Sequence, residues 1–245
     1  MAIHDEIRQF WDDDAATYDD APGHRPTSPA VRAAWSAALE ALLPAGRARV
    51  LDCGAGTGFV SLMAARLGHA VTALDISPGM LERLQAGAAR EGLSIEVVVG
   101  DAARPPEGAP FDVVIERHLL WTLPDPEQAL VAWRGAAPAG RLVALESLWG
   151  RADPLEVVRG RAWRWVRRWR ATAPDHHGAY PDAVRSALPL GSGTHPRALA
   201  ALVEGAGWRQ PRLHRLRDVD WAESLELRLP ERLLGVTPRF ALVAS

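Results

Sequence analysis

The chain has 245 residues, 48% of them hydrophobic, and a formal net charge of −2, which is typical of a globular protein with an ample core. The balanced charge gives no general attraction to nucleic acid or an anionic membrane, no apolar run is long enough to cross a bilayer, and the acidic N-terminus lacks a signal-peptide pattern. The only cysteine, Cys53, excludes an internal disulfide, and we expect a cytoplasmic protein.

The basic residues are unusual because all 28 are arginine, and asparagine is absent too. Arginine codons are GC-rich, whereas lysine and asparagine codons are A-rich, so the composition indicates a GC-rich genome. Together with the compact chain and its insertion, this fits a bacterial enzyme. The abundance of arginine is therefore weak support for anion binding by itself. The absence of lysine excludes a Schiff-base lysine and a P-loop lysine.

Strand-like and helix-like segments alternate from about residue 28 onward. Helices are predicted at Ser28–Leu42, Phe59–Leu67, Pro78–Arg90, Pro126–Arg134 and Pro196–Glu204. Strands are predicted at Arg49–Asp52, Ala70–Asp75, Ile95–Asp101, Phe111–Glu116, Arg141–Glu146, Arg212–Val219 and Arg239–Ala244. This alternation predicts one α/β domain over residues 1–245, with a doubly wound, mostly parallel sheet. Residues 147–195 interrupt the pattern and are interpreted as an insertion.

The segment VLDCGAGTG places three glycines, Gly54, Gly56 and Gly58, between a strand and a helix. Backbone N–H groups in such a turn can approach a nucleotide closely, although glycines also serve ordinary turns. A dinucleotide fingerprint would need glycine or alanine at Phe59, and Asp52 would place a carboxylate beside a pyrophosphate. The loop therefore disfavours NAD or FAD and favours a ligand with a positive charge.

Acids end three successive strands, at Asp52, Asp75 and Asp101, where open sheets bind ligands. Together with the glycine loop, the ordered segments TALDIS, VVVGDA and FDVVIER resemble the class I S-adenosylmethionine-dependent methyltransferases. The resemblance continues through the strand pattern to FALVA and implies a seven-stranded, Rossmann-like sheet.

The resemblance assigns the adenosine part of S-adenosylmethionine to the second and third strands. It implies that Asp75 binds both ribose hydroxyls and that Ile76 packs on the adenine. It also implies that Asp101 accepts a hydrogen bond from the adenine amino group, while the backbone of Ala102 donates to the ring.

The methionine part is assigned to the first and fourth strands. The resemblance implies that the glycine loop packs on the methionyl and ribose groups and that Asp52 contacts the ammonium through water. Backbone carbonyls of Glu116 and Arg117 would complete the ammonium site. Cys53 replaces the usual aliphatic residue and is interpreted as a small buried side chain.

The N-terminal segment 1–27 resembles the lid of small-molecule methyltransferases. Its tyrosine, Tyr18, is expected near the methionyl group, with Trp11 and His24 beside the acceptor. The alternative is a surface helix with a solvated acidic end.

His118, in the sequence IERHLLW, follows the fourth strand and is the candidate general base. A histidine titrates near neutrality, which suits removal of a proton from a hydroxyl or amine. The alternative is a structural hydrogen-bonding residue.

The insertion 147–195 is interpreted as a cap over the acceptor. Its basic amphipathic helix, Arg159–Thr172, permits RNA or membrane contact, but acids elsewhere cancel its charge. Trp121 and Trp149 lie in loops beside the cap and could stack on a planar acceptor. His176, His177 and His195 are interpreted as loop residues, and no metal motif is evident.

These observations predict a methyltransferase that modifies an oxygen or nitrogen of a small, planar, natural-product-like acceptor. We expect no nucleic-acid or membrane partner and either a monomer or a homodimer. The alternatives are a cofactor-binding protein without catalysis, a methyltransferase acting on RNA or protein, and a dinucleotide oxidoreductase.

Overall fold

A computed structural model describes residues 2–20, 23–26, 28–108, 110–150, 182–229, 232 and 236–245. Its strands form one sheet in the order β3-β2-β1-β4-β5-β7-β6. Their bounds are β1 Arg49–Cys53, β2 Ala70–Asp75, β3 Ile95–Val99, β4 Val113–Arg117, β5 Arg141–Ser147, β6 Arg212–Arg215 and β7 Arg239–Ala244. The first five strands are parallel, and β7 runs antiparallel between β5 and β6. The predicted doubly wound α/β fold is confirmed.

The strand order positions the functional site. β1 pairs with both β2 and β4, so the chain leaves the sheet centre in opposite directions on the two sides of β1. A crevice opens at such a reversal, beyond the carboxyl ends of the strands. Asp52, Asp75 and Glu116 lie at or near these ends, as the alternating pattern predicted.

The five helices predicted from the sequence begin at or within one residue of the predicted positions. Their bounds are α1 Ala2–Asp14, α2 Pro29–Leu42, α3 Phe59–Arg66, α4 Pro78–Glu91, α5 Pro126–Ala136, α6 Asp182–Ala187, α7 Pro196–Gly205 and α8 Arg217–Glu226. Ser28, Ser77 and Asp125 each accept a hydrogen bond from a backbone N–H three residues later, at 3.2, 3.1 and 2.8 Å. These bonds satisfy N–H groups that have no partner inside the helix. None of the described helices is long and apolar enough to span a membrane.

Apolar side chains fill both faces of the sheet. On one face α5 and α7 pack Trp133 and Val203 against the strands, and on the other α2 and α3 contribute Trp35 and Val60. All four side chains are almost completely buried. The strands are apolar on both faces because both are covered, as expected for a parallel sheet.

The prediction for residues 212–219 was partly wrong. β6 ends at Arg215, and α8 begins at Arg217 rather than the strand continuing to Val219. Asp218 and Asp220 lie in the first turn of α8, where negative charge stabilises a helix, and Val219 is buried. The predicted cap helix, Arg159–Thr172, and the residues His176 and His177 lie outside the described part of the chain.

Candidate active site

A cavity of about 570 Å³ lies at the carboxyl ends of the strands. The sequence-predicted residues that line it are Trp11, Tyr18, His24, Gly54, Gly56, Asp75, Ile76, Asp101, Ala102, Arg117, His118, Trp121 and Trp149. Asp52, Gly58 and Glu116 are not part of the lining. The lining residues that sequence reasoning missed include Phe10, Met80 and Arg185.

The glycine loop has two different structural roles. Gly56 has φ of +54°, and a side chain at this position would extend into open space. The backbone N–H of Gly56 donates a hydrogen bond to Asp75 Oδ2 at 2.8 Å. A Cβ at Gly58 would lie only 2.7 Å from Leu84 of α4. Gly56 therefore leaves room in the cavity, whereas Gly58 allows α3 to pack closely on α4.

Asp75 and Asp101 face the same cavity from neighbouring loops. Asp75 Oδ1 accepts from the Ser77 N–H at 2.9 Å, and burial raises the pKa of the Asp75 carboxyl. Asp101 Oδ1 accepts from the Ala103 N–H at 2.9 Å, while its Oδ2 lies 3.7 Å from His4 Nε2. A carboxylate has about four acceptor sites, so both acids keep capacity for a ligand.

Asp52 is buried below the cavity and is 1% exposed. Its Oδ2 accepts a hydrogen bond from the Ser61 hydroxyl at 2.5 Å, and burial raises its pKa to about 7. The structure therefore does not bring Asp52 into the cavity, because Ser61 of α3 lies against it. The adjacent Cys53 is completely buried, and burial raises the pKa of its thiol well above the ordinary value.

Glu116 also lies below the cavity floor. Its Oε2 accepts from the Leu119 N–H at 2.8 Å, whereas Oε1 is buried without a hydrogen-bond partner. Burial raises the Glu116 pKa well above its ordinary value, and the charge of Glu146 acts in the same direction. Burial therefore favours the protonated form of this carboxyl more than in an exposed glutamate.

The side chain of Arg117 connects β4 to the N-terminal segment. Its guanidinium donates to the Gly23 carbonyl at 2.7 Å and lies 3.9 Å from the centre of the Phe59 ring. Sequence reasoning had used only its backbone carbonyl. The side chain places a cation beside the cavity and fixes the chain that follows Tyr18.

The N-terminal segment closes one side of the cavity. Asp12 on α1 accepts hydrogen bonds from the Ser77 hydroxyl at 2.5 Å and from the Gly79 N–H at 3.2 Å. Asp19 accepts from the Thr57 hydroxyl in the glycine loop at 2.6 Å. The segment thus contacts the start of α4 and the glycine loop.

Tyr18 lies within this segment among other aromatic rings. Its ring centre is 4.1 Å from that of His24 and 5.9 Å from that of Trp11, both in edge-on arrangements. Burial raises the Tyr18 pKa, so the hydroxyl stays neutral at ordinary pH.

His118 forms a pair with a residue that sequence reasoning missed. Its Nδ1 lies 3.1 Å from Oε2 of Glu146, at the end of β5. The His118 side chain is 30% exposed and lines the cavity, whereas Glu146 is 8% exposed. His118 has φ of 57°, a left-handed conformation that is uncommon for residues other than glycine. Strained backbone of this kind concentrates at functional sites.

Burial and charge set the protonation of this pair. Burial lowers the His118 pKa well below its ordinary value, and the cations of Arg117 and Arg239 act in the same direction. Burial raises the Glu146 pKa to about 8. His118 is therefore neutral at physiological pH, as a general base must be before it accepts a proton.

Aromatic rings form the outer wall of the cavity. The rings of Trp121 and Trp149 lie 5.3 Å apart at 73°, and the guanidinium of Arg185 lies 5.3 Å from the Trp149 ring centre. Phe10 and Trp11 add a second edge-on pair from α1. Among the residues that the structure describes, no group of three or more histidines, cysteines and acids is placed to hold a metal.

Comparison with known proteins identifies the class. A family model described as a methyltransferase domain matches residues 50–137. The demethylmenaquinone methyltransferase of Thermobifida fusca is 33% identical over 168 residues, which cover 65% of this chain and 68% of that protein. The chain belongs to the class I S-adenosylmethionine-dependent methyltransferases, whose cofactor is S-adenosylmethionine.

Other comparisons agree on the fold. The magnesium protoporphyrin IX methyltransferase of Synechocystis, solved with bound S-adenosylhomocysteine, superposes with a TM-score of 0.59 and 15% identity, covering 99% of this chain and 98% of that one. An uncharacterized protein of Mycobacterium tuberculosis is 40% identical over 82 residues, which are 33% of this chain and 30% of that protein. The chain thus matches less than a third of that relative's length.

The residues of the cavity fit S-adenosylmethionine. Gly56 leaves open space where a side chain would stand, and Asp75 and Asp101 supply acceptors for hydroxyl and amino groups. Ile76 and Met80 give the apolar surface that an adenine ring needs. A cavity of about 570 Å³ lies within the common range for small-molecule sites.

Proposed function

We propose that the protein transfers a methyl group from S-adenosylmethionine to an oxygen or nitrogen of a small, planar acceptor, with His118 as the general base. The observation that carries this proposal is the contact of 3.1 Å between His118 and the buried Glu146, on a histidine that lines the cavity. We further propose that residues 1–27 act as a lid over the cofactor and that part of 147–195 caps the acceptor.

When bound, the cofactor supplies an electrophilic methyl group on a sulfonium sulfur. Asp75 and Asp101 orient the adenosine part, and the glycine loop sets the depth at which it lies. Tyr18 and Arg117 keep the N-terminal segment over the same end of the cavity. Alignment of the reacting groups and exclusion of water can contribute about 7–11 kcal/mol.

His118 moves the proton. In the competent form its Nδ1–H donates to the Glu146 carboxylate, so that Nε2 carries the lone pair. During methyl transfer, Nε2 of His118 would accept the proton that the acceptor's oxygen or nitrogen loses. The Glu146 carboxylate then stabilises the histidinium, in the manner of an acid that orients a catalytic histidine.

The aromatic wall supports a planar acceptor. Trp121, Trp149 and Phe10 expose ring surface beside His118, and such rings favour offset or edge-on contacts with another ring. The relative named for demethylmenaquinone also supports a ring-containing small molecule. The Arg185 guanidinium near Trp149 would favour an acceptor with an acidic substituent.

Two experiments test the proposal. Calorimetry with S-adenosylmethionine, S-adenosylhomocysteine and NAD should show binding of the first two only. Incubation with methyl-labelled cofactor and a panel of phenols, hydroxyquinones, aromatic amines, a peptide and an RNA should label a small aromatic. Cofactor binding without turnover on any acceptor would favour a non-catalytic protein, and labelling of only the peptide or RNA would contradict the small-molecule acceptor.

A further inference from the structure

A second cavity, of about 450 Å³, lies on the outer side of the glycine loop between α2, α3, α4 and the N-terminal segment. Its charged lining consists of five arginines and two carboxylates: Arg25, Arg32, Arg66, Arg83, Arg90, Asp19 and Glu91. His24 belongs to both this cavity and the active-site cavity. The proposed methyl transfer uses none of these arginines.

The two carboxylates are already engaged. Glu91 accepts two hydrogen bonds of 2.6 Å from Arg66, and Asp19 lies 3.5 Å from Arg25. Neither carboxylate forms an ion pair with Arg83 or Arg90. The cavity therefore holds more cations than anions, although the whole chain has a net charge of −2.

Three of the arginines act on one carboxylate of this cavity, that of Glu91. The Glu91 pKa lies below its ordinary value chiefly because Arg66 donates hydrogen bonds to it, and the charges of Arg25 and Arg90 add to the effect. Arginines from α3, the N-terminal segment and α4 thus act on the carboxylate of Glu91. This convergence, unlike the abundance of arginine in the chain, is a property of the fold.

Arg83 extends the positive lining along α4. Arg83 and Arg90 are seven residues apart, which is two turns of helix and a rise of about 10 Å on one face. Arg83 has no hydrogen bond or ion pair to any of the described residues, and Arg90 bonds only a carbonyl of its own helix, that of Ala86 at 3.2 Å. Both guanidiniums keep donors available for a ligand.

We propose that this cavity is a binding site for a diphosphate or a longer phosphate chain. Guanidinium groups bind phosphate oxygens with paired, charge-assisted hydrogen bonds. A diphosphate carries more charge and more acceptor oxygens than one phosphate, which favours binding to several guanidiniums, and the cavity is large enough for a nucleotide as well. Because Arg25 belongs to the N-terminal segment, the same ligand would bridge that segment to α4.

The test uses calorimetry with pyrophosphate on the full chain at fixed ionic strength. We expect saturable binding of one pyrophosphate, weakened about ten-fold or more by the double substitution R83Q/R90Q. The matched control is Arg197→Gln, an exposed arginine on α7, which should bind as the unaltered protein does. Glu91→Gln should strengthen binding, because it removes a competing carboxylate and releases Arg66.

Melting temperatures verify that the variants are folded. A second titration with ADP in place of pyrophosphate distinguishes a nucleotide ligand from a free diphosphate. Tighter binding of ADP would identify a nucleotide, and equal binding would identify the diphosphate alone. The proposal would be overturned if pyrophosphate showed no saturable binding or if R83Q/R90Q kept full affinity. It would also be overturned if Arg197→Gln lost as much affinity for pyrophosphate as R83Q/R90Q. These measurements need no acceptor, so their outcome is independent of the proposed methyl transfer.

Discussion

Nδ1 of His118 and Oε2 of Glu146 lie 3.1 Å apart although the two residues are 28 positions apart in the chain. His118 follows β4 and Glu146 lies near the end of β5, and these strands are parallel neighbours. The pairing of the strands therefore builds the dyad, and the left-handed backbone at His118 accompanies the placement of its ring in the cavity wall.

The first prediction concerns the base. Asparagine tolerates the left-handed backbone at position 118 but cannot accept the proton, so His118→Asn should lower kcat about 100-fold or more. Affinity for S-adenosylhomocysteine should change less than about two-fold, since the base contacts the acceptor. Turnover assays and calorimetry measure the two quantities. Near-normal turnover at neutral pH would leave alignment alone as the mechanism.

The second prediction concerns the pH profile. Because burial raises the Glu146 pKa to about 8, Glu146 is protonated below that pH and donates to Nδ1, which leaves the proton on Nε2. The rate should therefore rise as the pH increases through about 8, when Nε2 becomes the acceptor. Glu146→Gln should lower the rate and abolish this rise. A variant that keeps the same inflection would show that another group titrates.

The third prediction concerns the cofactor. Asp75 fixes the glycine loop through Gly56 and faces the cavity, so Asp75→Ala should weaken S-adenosylhomocysteine binding about ten-fold or more. In a saturating concentration of cofactor, kcat should recover more fully than in His118→Asn. Titration calorimetry and the dependence of rate on cofactor concentration distinguish the two effects. Unchanged cofactor affinity would contradict this role.

The fourth prediction concerns the proposed lid. Asp12→Ala removes both hydrogen bonds to the start of α4, and the loss of charged hydrogen bonds should speed release of S-adenosylhomocysteine about ten-fold. Asp13→Ala is the matched control, because Asp13 bonds only Gln9 on the surface of the same helix. Stopped-flow displacement measures the rates, and hydrogen exchange of residues 2–20 should increase only in Asp12→Ala. Equal effects of the two substitutions would argue against the lid.

The fifth prediction concerns stability. The Asp52 pKa is about 7 in the folded protein and near 3.8 when unfolded, so folding binds a proton between these values and stability falls as the pH rises through that range. The free-energy change is on the order of a few kcal/mol. Asp52→Asn should therefore lose less stability between pH 5 and pH 8 than the unaltered protein. Denaturant unfolding measures this, with the exposed Glu40→Gln as the control.

The sequence predicted the fold and most of the cavity wall because those features depend on local pattern. A short stretch of sequence is enough to recognise the apolar runs that end in Asp75 and Asp101. The same holds for the helix starts at Ser77 and Asp125. Glu146 was read only as the end of a strand, since its partner is brought to it by strand pairing.

Other features were missed for a similar reason. The buried position of Asp52 depends on Ser61, which α3 places below the cavity floor. The helix that begins at Arg217 was read as a continued strand because Leu213 and Val219 are apolar in a segment of mixed pattern. In each instance tertiary packing, rather than local propensity, decides the outcome.

Because Cys53 is buried, its reaction with an alkylating reagent can report local opening of the sheet at β1. A neutral, completely enclosed thiol reacts with an alkylating reagent only after β1 has been exposed, because the thiolate is the nucleophile. As the sequence has a single cysteine, one added mass per molecule records one opening event. The rate of labelling measures how often the centre of the sheet opens. Comparing this rate with and without S-adenosylhomocysteine measures the effect of the ligand on opening, and no engineered probe is required.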